Sequence, residues 1–248
     1  MAKSKNYHVG GEQLPLVTPE SPWAPPTELP DLRRMGMIAV DTEGRDDGIG
    51  SGRGSGWPYE SGFICGVSAA WDGGAFYAPV RHPDTECLDP GNVKRWLADH
   101  LACPDLRVVM HHASHDVGWL GAEWNISCPI HLDDTEGMAV AVDESRLKYS
   151  LDSLCEWRGI AGKDETLLRE AAAAYGVDPK GGAWRLPARY VGVYAEQDAQ
   201  ATLVLAKSLD PVLDAEGTRK AYELEMDLVP MVREILARGI RVYLDAAE

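Results

Sequence analysis

Basic side chains are scarce in this chain. Its 248 residues carry 24 Lys and Arg against 39 Asp and Glu, a net charge of −15. Such a field repels nucleic acid at long range and argues against a protein that grips duplex DNA on a broad basic face. It leaves room for an enzyme that engages a few nucleotides through bound divalent cations. No apolar run approaches the roughly 20 residues of a membrane-crossing helix, so no membrane partner is expected. The N-terminus, MAKSKNYHVGGEQLPL, lacks the apolar stretch of a secretory signal. The five cysteines, Cys65, Cys87, Cys103, Cys128 and Cys155, contain no CxxC pair. Reduced thiols in a cytoplasm are therefore expected rather than a disulfide frame or a zinc site. The glycine-rich stretch Gly48–Gly56 lacks the Gly-Lys-Ser/Thr ending of a phosphate-binding loop. It reads as a flexible segment, disordered rather than a lid. No internal repeat is present.

Hydrophobic residues make up 45% of the chain, enough for a sizeable core. Pro15, Pro19, Pro22, Pro25, Pro26 and Pro30 exclude regular helix or central strand from residues 1–34, which read as an arm with Trp23 as a candidate anchor. Strands are expected at Met37–Asp41, Phe63–Trp71, Ala75–Val80, Leu106–Met110 and Ile130–Leu132, the second and third joined by an Asp72-Gly73-Gly74 hairpin turn. Helices are expected at Pro90–Leu101, Ser114–Glu123, Thr135–Val142, Leu151–Trp157, Asp164–Tyr175, Pro187–Leu209 and Thr218–Ala237. This order predicts an α/β fold, a mixed five-stranded sheet, mostly parallel with an antiparallel hairpin, flanked by helices.

Asp-x-Glu occurs four times, at Asp41/Glu43, Asp84/Glu86, Asp134/Glu136 and Asp214/Glu216. Only Asp41 ends an apolar strand, where residues two apart face one side and can converge on one ion. Asp84/Glu86 reads as a polar loop, and the last two pairs as acids at helix N-termini. Solvated acids at a strand end remain the alternative for Asp41 and Glu43. Tyr-x-x-x-Asp occurs once, at Tyr194 and Asp198, one helical turn apart; taken alone it reads equally as a surface acid beside a core phenol. Asp116 falls near a helix start, where the dipole alone would favour it. His111, His112 and His115 have no second cluster at zinc spacing.

Acid pair on a first strand, acid after a middle strand, then Tyr-x-x-x-Asp on a late helix: in that order, Asp41-Thr-Glu43, Asp116 and Tyr194-Ala-Glu-Gln-Asp198 resemble the proofreading 3′→5′ exonuclease domain of family A DNA polymerases. Within the DEDD superfamily the match is to the Tyr-containing subclass. Supporting segments are Leu132–Thr135, Leu147–Leu154 and Asp198–Leu203, together covering about residues 35–210. The resemblance implies an RNase H-like fold and hydrolysis of phosphodiester bonds at the 3′ end of single-stranded or frayed DNA. It implies two Mg²⁺ or Mn²⁺ ions, with Asp41, Glu43 and Asp198 on the first, Asp41 and Asp116 on the second, and Tyr194 positioning water. Two departures fall in the second motif, where His112 stands for the family's usual Asn and His115 for its Phe or Tyr. These two, with Trp184, Arg185, Leu186, Arg189 and Tyr190, are candidate substrate contacts.

Three parts are expected: an arm at 1–34, the exonuclease domain at 35–210, and a helical bridge at 211–248 toward the polymerase domain of a phage-type parent chain. The C-terminus, just after Ile240–Leu244, looks like a cut. A monomer acting in the cytoplasm, the host's if phage-encoded, is expected. The competing readings are a free-standing DNA or RNA exonuclease resembling RNase D, and a catalytically silent scaffold domain.

Overall fold

The computed structural model describes residues 7–9, 12–14, 17–83 and 87–243. Strands β1 (Tyr7–Val9) and β2 (Glu12–Leu14) pair antiparallel. This small hairpin lies within the predicted arm, ahead of its first proline. The rest of the arm is tied to the body. Trp23 Nε1 donates to Glu196 Oε1 at 2.8 Å, Ser21 Oγ donates to the Arg189 carbonyl at 2.8 Å, and Trp96 Nε1 donates to the Pro30 carbonyl at 2.7 Å. The Trp23 ring lies so close to Gly192 that a Cβ there would stand 2.1 Å from it, so only glycine admits this anchor.

The apolar run Met37–Val40 opens strand β3 (Met37–Asp46), followed by one helical turn, α1 (Asp47–Gly50). Strands β4 (Gly62–Trp71) and β5 (Gly74–Pro79) form the predicted hairpin. Next come helix α2 (Pro90–Leu101), strand β6 (Arg107–Met110), helix α3 (Ala113–Trp124), strand β7 (Leu132–Asp134) and helix α4 (Thr135–Val142). Helices α5 (Leu151–Arg158), α6 (Thr166–Tyr175), α7 (Ala188–Ala215) and α8 (Arg219–Arg238) complete the described chain. The main sheet has the order β5-β4-β3-β6-β7. Since β3 is antiparallel to β4 and parallel to β6, only β4 runs against the other four strands. The sheet is mixed and flanked by helices, as the sequence predicts.

The alternation of β3 sorts its side chains between two layers. Ile38 and Val40 enter the core with Val93, Leu97, Val117 and Leu120 of α2 and α3. Ala39 faces the other way, packing with Ala70, Ala199 and Leu203. Alanines on both sides let α7 lie close to the sheet, and this face is continued by residues 41 and 43.

Several boundaries differ from those predicted. Strand β7 begins at Leu132 rather than Ile130, because Ile130 is 55% exposed and contributes nothing to the core. Helix α7 runs through Pro211 to Ala215, the proline sitting on an exposed face. Asp214 therefore lies at a helix C-terminus, not an N-terminus. Its charge, unfavourable there, is met by Arg219, 2.9 Å away. Asp134 and Glu136 do open a helix, α4, with Asp134 as its cap. Asp84/Glu86 lies outside the described residues. The glycine-rich segment adopts a defined loop rather than a disordered one. The Asp46 carboxylate accepts from the backbone N–H groups of Gly48, Ile49 and Gly56 and from Trp119 Nε1, closing the loop at its base.

Candidate active site

Asp41 and Glu43 extend from β3 toward α7. Immediately after Glu43 the register with β4 shifts by a bulge at Gly44, where a Cβ would stand 2.4 Å from the Phe63 carbonyl oxygen. Thr42, between the two acids, points to the other side and grips the third. Its backbone N–H donates to Asp116 Oδ1 at 2.9 Å and its hydroxyl donates to the same oxygen at 2.6 Å. Asp116 lies in the first turn of α3 and is 2% exposed. Asp198, 8% exposed on α7, completes the set, with the Tyr194 hydroxyl beside it. All four acids named from the sequence thus gather about residues 41–43.

The electrostatics fit that crowding. Burial, then Asp116, Glu43 and Asp198, hold the Asp41 carboxyl well above the ordinary carboxylate range. Burial and Asp198 push Glu43 up to about 8. Both keep an edge accessible to solvent and count as half-buried by exposed area, yet the protein packed around their oxygens is dense enough that desolvation leads. Burial also raises Asp116, against the opposing effects of His115 and the Thr42 hydrogen bonds. It raises Asp198 against the pull of Lys163. The Tyr194 phenol is raised by burial and by Glu43 and Asp198, so it stays protonated.

Lys163 was not among the predicted residues. It lies between α5 and α6 with its side chain 8% exposed, and its ammonium stands 2.7 Å from Asp198 Oδ1 and 3.2 Å from Asp152 Oδ1. The contact with Asp198 is one of charge, without the alignment of a good hydrogen bond. The same ammonium lies 5.0 Å from the centre of the Tyr194 ring. Its charge lowers Asp41, Glu43 and Asp198 alike. Nothing local distinguishes it in sequence from any exposed loop lysine.

The candidate substrate contacts separate into two groups. His112 takes a left-handed conformation, φ 60°, as the N-cap of α3, and its Nδ1 is 2.6 Å from Glu136 Oε2. The Asp134 carboxylate holds that turn by accepting from the backbone N–H groups of His112 and Ala113. His115 Nδ1 lies 3.2 Å from Ser55 Oγ, joining the glycine-rich loop to the helix that carries Asp116. Trp184 packs edge-on against Phe63 with the Arg45 guanidinium 5.3 Å away, and Arg185 is exposed beside it. Arg189 is partly exposed, with its guanidinium 4.9 Å from the Tyr190 ring. Leu186 and Tyr190 are corrections: both are buried, Leu186 giving its carbonyl to His82 Nδ1 and Tyr190 its hydroxyl to the Pro19 carbonyl. Their apolar character serves packing, and neither presents a face to a substrate.

Carboxylate oxygens in this number, with one ammonium among them, are a donor set that fits hard divalent cations such as Mg²⁺ or Mn²⁺. Among the described residues no three His, Cys, Asp or Glu side chains already close on one point. Asp198 is drawn to Lys163 and Asp116 to Thr42, so binding an ion requires side-chain adjustment.

No family model matches the chain. It is 31% identical, over 94% of its length, to a DNA-directed DNA polymerase of Pseudomonas phage M6, and 28% identical, over 88%, to the DNA polymerase DpoZ of Vibrio phage phiVC8. The chain spans about a third of the length of these curated relatives (36% and 34%). Among solved structures it is similar to Brucella melitensis NrnC with bound Mg²⁺, with a TM-score of 0.61 and 16% identity, covering 85% of this chain and 90% of that one. It is also similar to Escherichia coli RNase D, an exoribonuclease involved in structured RNA processing, with a TM-score of 0.57 and 19% identity, covering 82% and 46%. The chain thus has an RNase H-like fold.

Proposed function

We propose that this chain is a divalent-metal-dependent 3′→5′ exonuclease. The observation that carries this reading is the gathering of Asp41, Glu43 and Asp198 between β3 and α7, with Asp116 clamped beside them by Thr42 and the Tyr194 hydroxyl next to Asp198. Asp41, Glu43 and Asp198 would hold one ion, and Asp41 with Asp116 a second. When bound, the ions supply an activated water and neutralise charge on the leaving 3′ oxygen. The protein's own part is positional. Thr42 fixes Asp116, the bulge after Glu43 bends β3, and the protonated Tyr194 hydroxyl, directed at Asp198, orients the attacking water by accepting a hydrogen bond at its oxygen without taking its proton. Contacts to metal and backbone carry no base identity, so little sequence preference is expected.

Tyr194→Phe therefore slows cleavage by roughly 10- to 100-fold while leaving metal binding close to wild type. Single-turnover rates with Mn²⁺ titration check this. Full activity in the phenylalanine variant would remove Tyr194 from the mechanism.

Two settings are supported by different observations. Likeness to nearly the whole of NrnC favours a free-standing nuclease. Likeness to a third of phage DNA polymerases favours a proofreading module in a longer chain, with α8 as the bridge toward a polymerase domain. Matched single-stranded DNA and RNA oligonucleotides, offered together with Mg²⁺ or Mn²⁺, separate them. Proofreading predicts preference for DNA, and a free-standing RNase D-like role predicts equal or faster loss of RNA.

A further inference from the structure

Lys163 has no place in the reaction described above, yet its ammonium is the group closest to Asp198 that carries positive charge. A divalent ion on Asp198 and the Lys163 ammonium 2.7 Å from Asp198 Oδ1 would stand a few ångström apart and repel. A second acid offers the lysine somewhere to go. Asp152, in the first turn of α5, is already 3.2 Å from the ammonium and has its own side chain 55% exposed. Space for that movement exists. Gly162 has nothing near its Cβ position, and a cavity of about 590 Å³ lined by Asp152, Gly162, Lys163 and Thr166 opens beside the lysine.

We propose that Lys163 is a positioning residue that competes with the divalent ion for Asp198 and retreats to Asp152 when the ion binds. In this account the lysine holds Asp198 and the Tyr194 ring in place until metal arrives, and lowers the apparent metal affinity in return. The inference rests on the acids forming a metal site, as the exonuclease reading requires.

Calorimetric Mn²⁺ titration of the full chain tests it without reference to activity. Lys163→Met should bind Mn²⁺ about tenfold more tightly than wild type, because the competing charge is gone. Asp152→Asn should bind it severalfold more weakly, because the lysine is left with Asp198 alone. In the double variant Asp152→Asn should add nothing to Lys163→Met. Unchanged or weaker binding by Lys163→Met overturns the proposal. So does a weakening by Asp152→Asn that persists in the double variant, which would make Asp152 a ligand instead. Asp152 is a half-exposed surface residue, so its variant reports even if Lys163→Met fails to fold. Asp41→Asn is the control. If wild type binds no Mn²⁺, or Asp41→Asn binds it equally well, the metal site itself falls and the lysine's role falls with it. If only the lysine variants misbehave, the site stands.

Discussion

Asp41→Ala should abolish the proposed exonuclease activity, lowering the single-turnover rate by about a thousandfold or more, with no rescue by added Mn²⁺. Asp41 is the acid with most at stake, since its carboxyl is raised by Asp116, Glu43 and Asp198 together. In the proposed arrangement it is also the only acid shared by both ions, so its loss removes a ligand from each. Asp41→Asn should fall nearly as far, because an amide keeps the volume and gives up the charge. Truncating Asp41, inside β3, removes a carboxyl raised by burial and by its acidic neighbours, so the variant should melt at or above wild type in EDTA and the loss can be read as chemistry. A variant retaining more than about a tenth of wild-type rate would remove Asp41 from the centre of the mechanism.

In EDTA, Glu43→Gln should be more stable than wild type by about 1–3 kcal/mol at pH 8.5. Glu43 is raised to about 8 in the folded chain from an ordinary value of 4.5. The folded state therefore holds its proton where the unfolded chain has lost it, and stability falls as pH rises between those values. The other three acids are raised as well and act in the same direction. His111 acts oppositely. Burial lowers its pKa to about 4, so its contribution to stability grows as pH rises from there to 6.5. Between pH 6.5 and 8.5 His111 no longer contributes, while His112, raised by its bond to Glu136, loses stability in both proteins alike, so the difference between wild type and Glu43→Gln reports the acid. Thermal melts in EDTA should show wild type losing stability across that interval and Glu43→Gln losing less. With saturating Mn²⁺ the order should reverse, because ligand binding stabilises only the chain that retains its site. A wild-type melting temperature that is flat or rising from pH 6.5 to 8.5 in EDTA would mean that the four carboxyls do not repel as their placement requires.

Much of this architecture was legible in the sequence because it rests on periodicity. The apolar run ending at Asp41 marked the central strand, the two-residue spacing put Glu43 on the same face, and the four-residue spacing joined Tyr194 to Asp198. Asp116, which by position alone reads as a helix-start acid, was marked by the resemblance. What could not be read depends on contacts between distant segments. Lys163 reaches Asp198 from a loop thirty-odd residues away in sequence, and nothing in its neighbours marks it. Leu186 and Tyr190 have the composition of a stacking surface, yet tertiary packing turns them into the core beside α7. The glycine-rich loop had the composition of a disordered segment, but a single acid, Asp46, gathers its N–H groups and gives it shape. Asp214/Glu216 fell at the wrong end of a helix because α7, expected to end at Leu209, continues through Pro211 to Ala215.

The most direct test of the central claim uses the wild-type chain and a single-stranded DNA oligonucleotide labelled at its 5′ end. With Mg²⁺ or Mn²⁺, degradation from the 3′ end should give a descending ladder of labelled products one nucleotide apart, and EDTA should stop it. A 3′-terminal phosphorothioate should slow the first step. An oligonucleotide left intact with both metals, or one that loses its 5′ label as a mononucleotide at the outset, would contradict a metal-dependent 3′→5′ exonuclease. An intact substrate would favour a domain that keeps the fold as a scaffold.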